Sequence, residues 1–200
     1  ITAIDNAKVA IEDSEFNFSG VTRCAIHVGG RSVVAVNRCD ITNFSPDSDW
    51  VGDFAWAIAL GGTNRLCQLA DGAKAVYNDC RLISNGWGIT SIDGTNEPVS
   101  LQINRCMMRL VGPRSHGYGA FCIGDNEVTL RDCDVQVNGY PMLVMGMKRQ
   151  GRPSILGCKI SGRRFGAMVY GDAGSVFEIR DSQFRTGSST LVVKGSNTVI

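Results

Sequence analysis

The sequence has no marked excess of charge of either sign and no long apolar run. Lysine and arginine number 20, against 19 aspartate and glutamate. This balance gives no global argument for a nucleic-acid or membrane-surface partner. No stretch approaches the length of about 20 apolar residues that a membrane-spanning helix needs. The first residues, ITAIDNAKVA, also lack the basic start and apolar stretch of a signal peptide. We therefore expect neither a nucleic-acid partner nor a membrane span.

Histidine is scarce, which limits the catalytic and metal sites that can be predicted. His27 and His116 are the only two, and neither has a nearby acidic residue in sequence to orient it. A Ser-His-Asp or Cys-His arrangement could still be assembled in space. Cys24 and His27 have the spacing of half a zinc site, but a second half is not visible. We predict no metal site and favour a structural role for both histidines.

The dominant feature is a column of small residues at a regular interval. Each stands in the middle of one short pattern, such as VAVNRCDI (34–41) or VTLRDCDV (128–135). The intervals are 24 to 27 residues, except that 41 residues from Cys39 to Cys80 make one period plus an insertion. Such an interval is typical of a stacked repeat, in which each unit buries its apolar side against its neighbours. The column consists of Ser14, Cys39, Cys80, Cys106, Cys133, Cys158 and Ser182.

Apolar and polar residues alternate with a period of two on both sides of this column, which predicts two short strands bent around it. A third strand follows a glycine-containing loop, as in AIHVGG (25–30), AIALGG (57–62) and MLVMGM (142–147). Three strands per roughly 25 residues predict one coil of a parallel β-helix. The sequence thus predicts an all-β fold in which residues 1–200 form a single domain of about seven coils. Because the chain ends in NTVI, which resembles a further strand, we expect it to be a segment of a longer protein.

The small residue of the column, at the turn between the two strands that flank it, carries a resemblance to a known family. The repeat resembles that of the right-handed parallel β-helix superfamily, the pectate-lyase-like fold, over nearly the whole chain. That family commonly places asparagine at this turn, where this chain has cysteine or serine. The resemblance implies the fold and no activity. A leucine-rich or hexapeptide solenoid is the alternative, but the sequence has no LxxLxLxxN run and its period is not a multiple of six.

Five of the eight cysteines belong to the column. Neighbouring Cα atoms would lie about 4.8 Å apart, a distance that a disulfide tolerates, but parallel side chains do not supply its dihedral angle. We therefore expect buried free thiols that pack as small apolar groups. Free thiols favour a reducing compartment, whereas the family resemblance favours a secreted or cell-surface protein. These two arguments oppose each other, so the sequence predicts no single localisation.

Two segments, 43–55 and 61–74, are too long for simple turns, and long loops on a rigid solenoid usually carry specificity. The first contains Asp47, Asp49 and Asp53 beside Trp50 and the following Trp56, so it could bind calcium or a sugar ring. The EF-hand pattern is absent, and a solvated surface loop is the simpler interpretation. We predict no cofactor, with calcium as the alternative.

Basic residues gather towards the C-terminal end. Six residues fall in the connections that precede the glycine-flanked strands, and stacking would align them along one edge. Such an edge could bind the carboxylates or sulfates of an acidic polysaccharide through bidentate contacts, although solvated arginines are the simpler interpretation. The predicted ligand-binding edge consists of Arg114, His116, Tyr140, Arg163, Arg164 and Arg185.

Enzymes of the resembled superfamily generally act on the sheet that the glycine-flanked strands form, using charged side chains that point outward. The outward positions predicted here are nearly uncharged, whereas a lyase needs a base and a hydrolase needs two carboxyl groups. The outward faces of the other two sheets are polar and are expected to be solvated. Their predicted outward residues include Asn37, Asn78 and Asn104 in one sheet, and Asp40, Arg81, Asp134 and Lys159 in the other. The predicted outward positions of the first sheet are His27, Ala59, Ser91, Cys122, Val144, Val169 and Val192.

We therefore predict a non-catalytic scaffold within a larger protein, with acidic polysaccharide as its possible ligand. Its apolar strip would contact another subunit or domain. The alternative is a polysaccharide lyase or glycoside hydrolase whose catalytic residues lie in loops: Asp47, Asp49, Asp53, His116 and Tyr118. The predicted contact strip consists of Ala59, Cys122, Val144, Val169 and Val192.

Overall fold

The computed structural model describes residues 1–19, 24–44, 65–70, 72–85, 87–92, 97–110, 118–123, 127–137, 140–147, 152–162, 167–171 and 176–194. Short strands that pair in parallel make up the regular structure of these residues, and no helix occurs among them. The described residues accordingly hold no helix that could cross a membrane. Successive strands fall into three sheets in turn, so the predicted all-β parallel solenoid is confirmed.

Sheet A has eight strands and sheets B and C have seven each. The strands of sheet A are β1 (Thr2–Ala3), β4 (Cys24–Val28), β7 (Arg65–Leu69), β10 (Trp87–Ile92), β13 (Tyr118–Ile123), β16 (Tyr140–Met147), β19 (Ala167–Gly171) and β22 (Leu191–Lys194). The strands of sheet B are β2 (Lys8–Glu12), β5 (Val33–Asn37), β8 (Lys74–Asn78), β11 (Ser100–Asn104), β14 (Glu127–Arg131), β17 (Ser154–Leu156) and β20 (Glu178–Arg180). The strands of sheet C are β3 (Glu15–Ser19), β6 (Asp40–Phe44), β9 (Arg81–Ser84), β12 (Met107–Leu110), β15 (Asp134–Val137), β18 (Lys159–Gly162) and β21 (Gln183–Thr186).

One strand of sheet A differs from the sequence-based prediction. The strand between β4 and β10 is β7, at 65–69, and not residues 57–62, which lie outside the described residues. It falls inside the predicted second insertion, 61–74. The turn after β7 matches the turn after β4, since the N–H of Ala73 donates to Ala70 O and that of Ser32 donates to Gly29 O. Both RLCQL (65–69) and AIALG (57–61) are short and mostly apolar, so the pattern alone could not choose between them.

Inward residues of successive coils stack in columns and form one continuous core. The pairing of β5, β8, β11, β14 and β17 places five large side chains of sheet B directly above one another. All five are at most 1% exposed. Burial of such a side chain contributes about 1.5–3 kcal/mol, so this column is a main source of stability. The column consists of Val36, Tyr77, Ile103, Leu130 and Ile155.

The turn between sheets B and C is the same in all seven coils. Its first residue has a φ between 48° and 64°, a conformation that residues other than glycine rarely adopt. The next residue is the small one of the repeat. Its side chain donates to the carbonyl oxygen two residues earlier, as Cys39 Sγ does to Asn37 O at 3.2 Å, and this bond closes the turn. The residues with positive φ are Asp13, Arg38, Asp79, Arg105, Asp132, Gly157 and Asp181.

The cysteines of the column are free thiols and are 1–3% exposed, as the sequence predicts. The N–H of Cys80 donates to Cys106 Sγ at 3.3 Å, and the N–H of Cys133 donates to Cys158 Sγ at 3.4 Å. The pKa of Cys106 is raised mainly by its hydrogen bond with Cys80, and that of Cys133 mainly by its hydrogen bond with Cys158. Burial raises both pKa values further. The cysteines of the column therefore pack in the core, and their sulfur atoms are hydrogen-bonded to the backbone.

Asparagine also forms a column, but on the outer face of sheet B and two positions before the cysteines. Asn78 Nδ2 donates to Asn37 Oδ1 at 2.8 Å, and Asn104 Nδ2 donates to Asn78 Oδ1 at 2.9 Å. Asn37 Nδ2 in turn donates to Glu12 Oε1 at 3.2 Å. Each amide thus joins adjacent coils, and the predicted outward position of these residues is confirmed.

Candidate ligand-binding site

The outer face of sheet C carries two polar columns. The strand pairing aligns Asp40 with Arg81 and Asp134 with Lys159, as the sequence-based alternation predicts. The second column runs two residues further along each strand and contains Arg109, Gln136, Ser161 and Arg185. Sheet C therefore presents charged and amide groups at the regular spacing of the coils, about 4.8 Å.

Towards the N-terminal end, the turn that borders this outer face is neutralised by ion pairs between its own residues. A groove of about 660 Å³ runs along the turn between sheets B and C. Within it, Arg38 binds Asp13 at 2.7 Å and Arg105 binds Asp79 at 2.7 Å. Hydrogen bonds from these arginines lower the pKa values of Asp13 and Asp79. Each such pair has no net charge, so it attracts an anionic ligand less than an unpaired cation does.

Two shallow depressions lie at the other end of sheet C. One has a volume of about 320 Å³ and the other about 200 Å³, and they share Ser161 and Arg185. Gly162 contributes to the larger one, which also extends to the backbone of Gly187, whose N–H donates to Gly162 O at 3.1 Å. The other lining residues are Gln136, Val137 and Thr186 in the larger depression, and Asp134, Lys159, Ile160, Gln183 and Phe184 in the smaller.

The cations of this surface differ from those of the groove. Lys159 and Arg185 are exposed and form neither an ion pair nor a side-chain hydrogen bond with a described residue. Asp134 lies next to Lys159 in the pairing, but its carboxylate binds Arg109, at 2.6 and 3.2 Å. Because Arg109 holds Asp134, neither Lys159 nor Arg185 has an ion pair with a described residue, and in this sense the two cations are uncompensated.

Lys159 and Arg185 lie on the same face of neighbouring strands. Lys159 pairs with Gln183, and Arg185 lies two residues beyond Gln183. The spacings within and between strands put the Cα atoms of Lys159 and Arg185 roughly 8 Å apart. Two cations at this distance, with the amides of Gln136 and Gln183 and the hydroxyl of Ser161 nearby, suit a chain with repeated anionic and hydroxyl groups.

The predicted arginine edge is only partly described, and two of its residues lie elsewhere than predicted. Arg114, His116, Arg163 and Arg164 lie outside the described residues. Tyr140 begins β16 and pairs with Tyr118, the first residue of β13, so it belongs to sheet A itself. Arg185 lies in β21 of sheet C and not in a connection, because QFRT continues the strand alternation. Lys159 was predicted to point outward from sheet C but not to belong to a binding site.

The residues of the predicted acidic loop and of the enzyme alternative are mostly undescribed. Asp47, Asp49, Asp53 and His116 lie outside the described residues, as does Ala59 of the predicted contact strip. In the part of the chain that is described, no group of three or more histidine, cysteine, aspartate or glutamate side chains could hold a metal ion. His27 is half-buried in β4.

The predicted outward column of sheet A combines two different register positions. The pairing places Cys122, Val144 and Val169 in one column, and Val169 pairs with Val193 and not with Val192. At the other end, this column continues through Ser91 and Leu69 to Val28, and both Leu69 and Val28 are buried. Val192 and His27 belong to the neighbouring column. Strands of sheet A such as β13, β16 and β19 have apolar residues at successive positions, so alternation could not fix their register. A register slip of one residue exchanges the two faces of a strand.

No protein-family model, curated protein or solved structure matches this chain. The candidate site is therefore defined by its own geometry and charge.

Proposed function

We propose that this chain is a rigid β-solenoid scaffold that binds an acidic polysaccharide across the last coils of sheet C. The observation that carries the proposal is the pair of uncompensated cations, Lys159 and Arg185, beside two shallow depressions. Amides and a hydroxyl line the same surface, and these groups hydrogen-bond readily to sugar hydroxyls. The fold supports the proposal because stacked coils hold such groups at fixed, repeating distances, which reduces the entropy lost on binding a polymer.

We also propose that the chain belongs to the pectate-lyase-like superfamily, of which the three parallel sheets are typical. Within that superfamily, a binding role fits this surface better than glycoside hydrolysis. Hydrolysis requires two carboxyl groups beside the substrate. Asp134 is the one acidic residue among the described residues that line the depressions, and Arg109 holds it.

Titration calorimetry with three probes tests this function: a polygalacturonate oligomer, a sulfated polysaccharide and neutral dextran. The two anionic probes should bind with an affinity that falls as salt is added, because the contacts are charged and exposed. The relative affinity of the two distinguishes carboxylate from sulfate recognition. Equal binding of dextran, or binding that is insensitive to salt, would overturn the proposal.

A further inference from the structure

The larger depression on sheet C opens where one inward side chain is missing. Gly162 pairs with Val137 on one side and with Thr186 on the other. Val137 and Leu110, which precede Gly162 in this column, are each 2% exposed, so the column points into the core. Gly162 is half-buried and lines the depression. The depression therefore reaches inward at a position where the neighbouring coils carry side chains.

The base and the rim of this depression differ in chemistry. The base contains Val137 and the backbone of Gly162, whose carbonyl oxygen already accepts from the N–H of Gly187 at 3.1 Å. The rim contains the outward residues that precede the inward column by one position. These residues are Gln136, Ser161 and Arg185. An apolar base below a polar rim suits a ligand group that ends in a methyl group and carries hydrogen-bonding atoms next to it.

The size of the depression and its polar groups match an acetamido-bearing sugar. Its volume of about 320 Å³ is at the lower end of the range of small-molecule pockets, about 300–1,000 Å³, so it accommodates one sugar residue. An acetamido group has a methyl group, one N–H donor and one carbonyl acceptor. Gln136 and Arg185 can donate to that carbonyl oxygen. Ser161 Oγ donates to Val135 O at 3.5 Å, so its lone pairs can accept from the acetamido N–H.

The smaller depression places cations beside such a sugar. It shares Ser161 and Arg185 with the larger depression, and Lys159 lines it as well. A sugar in the larger depression therefore has the next residue of its chain over the smaller one. An anionic group on that next residue lies close to both cations.

We infer that the larger depression binds the acetamido group of an N-acetylated sugar, with the methyl group over Gly162. The inference rests on the proposed function and narrows its ligand to acidic polysaccharides in which N-acetylated sugars alternate with uronic acids. The carboxylate of the uronic acid then binds Lys159 and Arg185. Polygalacturonate has no acetamido group, so it leaves the larger depression unfilled.

Two neutral trisaccharides test the inference, because tri-N-acetylchitotriose carries acetamido groups where cellotriose carries hydroxyl groups. In an NMR titration of the parent protein, the N-acetylated sugar should bind about fivefold more tightly, as expected for burial of one methyl group. Gly162→Val should remove this preference, since its side chain fills the space as Val137 does in the preceding coil. Gly162→Ala fills less of the space and should reduce the preference by a smaller factor. Equal affinities of the parent for the two sugars would overturn the inference.

The matched control is Lys159→Ala, because Lys159 lines only the smaller depression. This variant should keep the preference for the N-acetylated trisaccharide, and a loss equal to that in Gly162→Val would contradict the inference. Gly162 lies in β18 and has no positive φ, so valine needs no unusual backbone conformation there. The melting temperature of Gly162→Val should not fall below that of the parent, since glycine weakens a strand.

Two acidic polymers separate this inference from the proposed function. In titration calorimetry, Gly162→Val should weaken binding of a hyaluronan oligomer, in which N-acetylglucosamine alternates with glucuronate, about fivefold. The same variant should leave binding of a polygalacturonate oligomer unchanged. If the parent binds both polymers and Gly162→Val affects both equally or neither, the inference fails and the proposed function stands. If the parent binds neither polymer, the proposed function fails, and the alternating ligand fails with it.

Discussion

Arg38 binds both carboxylate oxygens of Asp13, with each nitrogen–oxygen distance 2.7 Å, although the two residues are 25 positions apart. Arg105 binds Asp79 in the same way, at 2.8 and 2.7 Å. All four residues occupy the positive-φ position of the turn between sheets B and C. Because this position stacks from coil to coil, opposite charges alternate along the surface, and Asp132 continues the alternation. The turn thereby combines an unusual backbone conformation with ion pairs that join neighbouring coils.

The ion pairs of the turn should make the stability of the fold depend on acid. Arg38 and Arg105 lower the pKa values of Asp13 and Asp79 below their ordinary value of 3.8. A carboxyl group with a lower pKa in the folded state stabilises the fold fully above its unfolded pKa, and this contribution disappears as the pH falls through the folded pKa. The free energy of unfolding in urea should therefore decrease between about pH 5 and pH 2.

Substitution of a paired carboxylate provides the control for this acid dependence. Asp79→Asn should reduce the loss of stability on acidification, because it removes one of the groups concerned. Glu127→Gln should not, since Glu127 is exposed and forms no ion pair with a described residue. Identical acid profiles for the parent and Asp79→Asn would show that the pairs do not contribute.

The sequence predicted the parts of the fold where one face is apolar and the other is polar. In sheets B and C, polar residues such as Asn37 and Lys159 mark the outer face, so the alternation gave both strand positions and register. In sheet A, strands such as MLVMGM are apolar on both faces, and alternation could not show that Val169 pairs with Val193 and not with Val192. The position of β7 was missed because the neighbouring segments 57–61 and 65–69 are both short and mostly apolar.

The candidate site was less predictable because it depends on which charges are already paired. Sequence alone shows that Lys159 and Arg185 are basic, as are Arg105 and Arg109. Only the structure shows that Arg105 binds Asp79 and that Arg109 binds Asp134. Those contacts join residues one coil apart. The register of the stack must therefore be known before an unpaired cation can be told from a paired one.

The thiol column can be tested at its centre. Cys106→Asp should destabilise the protein by about 3 kcal/mol or more, because it buries a carboxylate beside the carbonyl oxygens of Asn104 and Tyr77. Cys106→Ser should cost less, about 1 kcal/mol. Serine already occupies this position at Ser182, where its hydroxyl donates to Arg180 O at 2.8 Å. Chemical denaturation provides both values, and an aspartate variant as stable as the parent would contradict the buried position.

The two uncompensated cations can be tested against cations that are paired. Lys159→Ala and Arg185→Ala should each weaken binding of the anionic polysaccharide about fivefold and reduce its salt dependence, because each removes an available charge. Arg105→Ala removes an exposed arginine that is held by Asp79, so its effect on binding should be small. Titration calorimetry on the three variants provides the comparison. Loss of binding in Arg105→Ala alone would move the site to the groove along the turn.

The alternation of charge at the turn has one gap, at Gly157, between Asp132 and Asp181. A Cβ at this glycine would come within 2.3 Å of Asp132 Oδ1, which is the mobile end of an exposed side chain. Gly157→Ala should therefore destabilise the protein, because the positive φ of 64° and this contact both oppose alanine. Gly157→Arg meets the same obstacles, but its guanidinium can bind Asp132 as Arg105 binds Asp79. The arginine variant should melt about 2 °C above the alanine variant at neutral pH and lose this advantage in high salt. Equal melting temperatures would mean that the alternating charges do not contribute to stability and that the turn depends on its backbone hydrogen bonds and the thiol column.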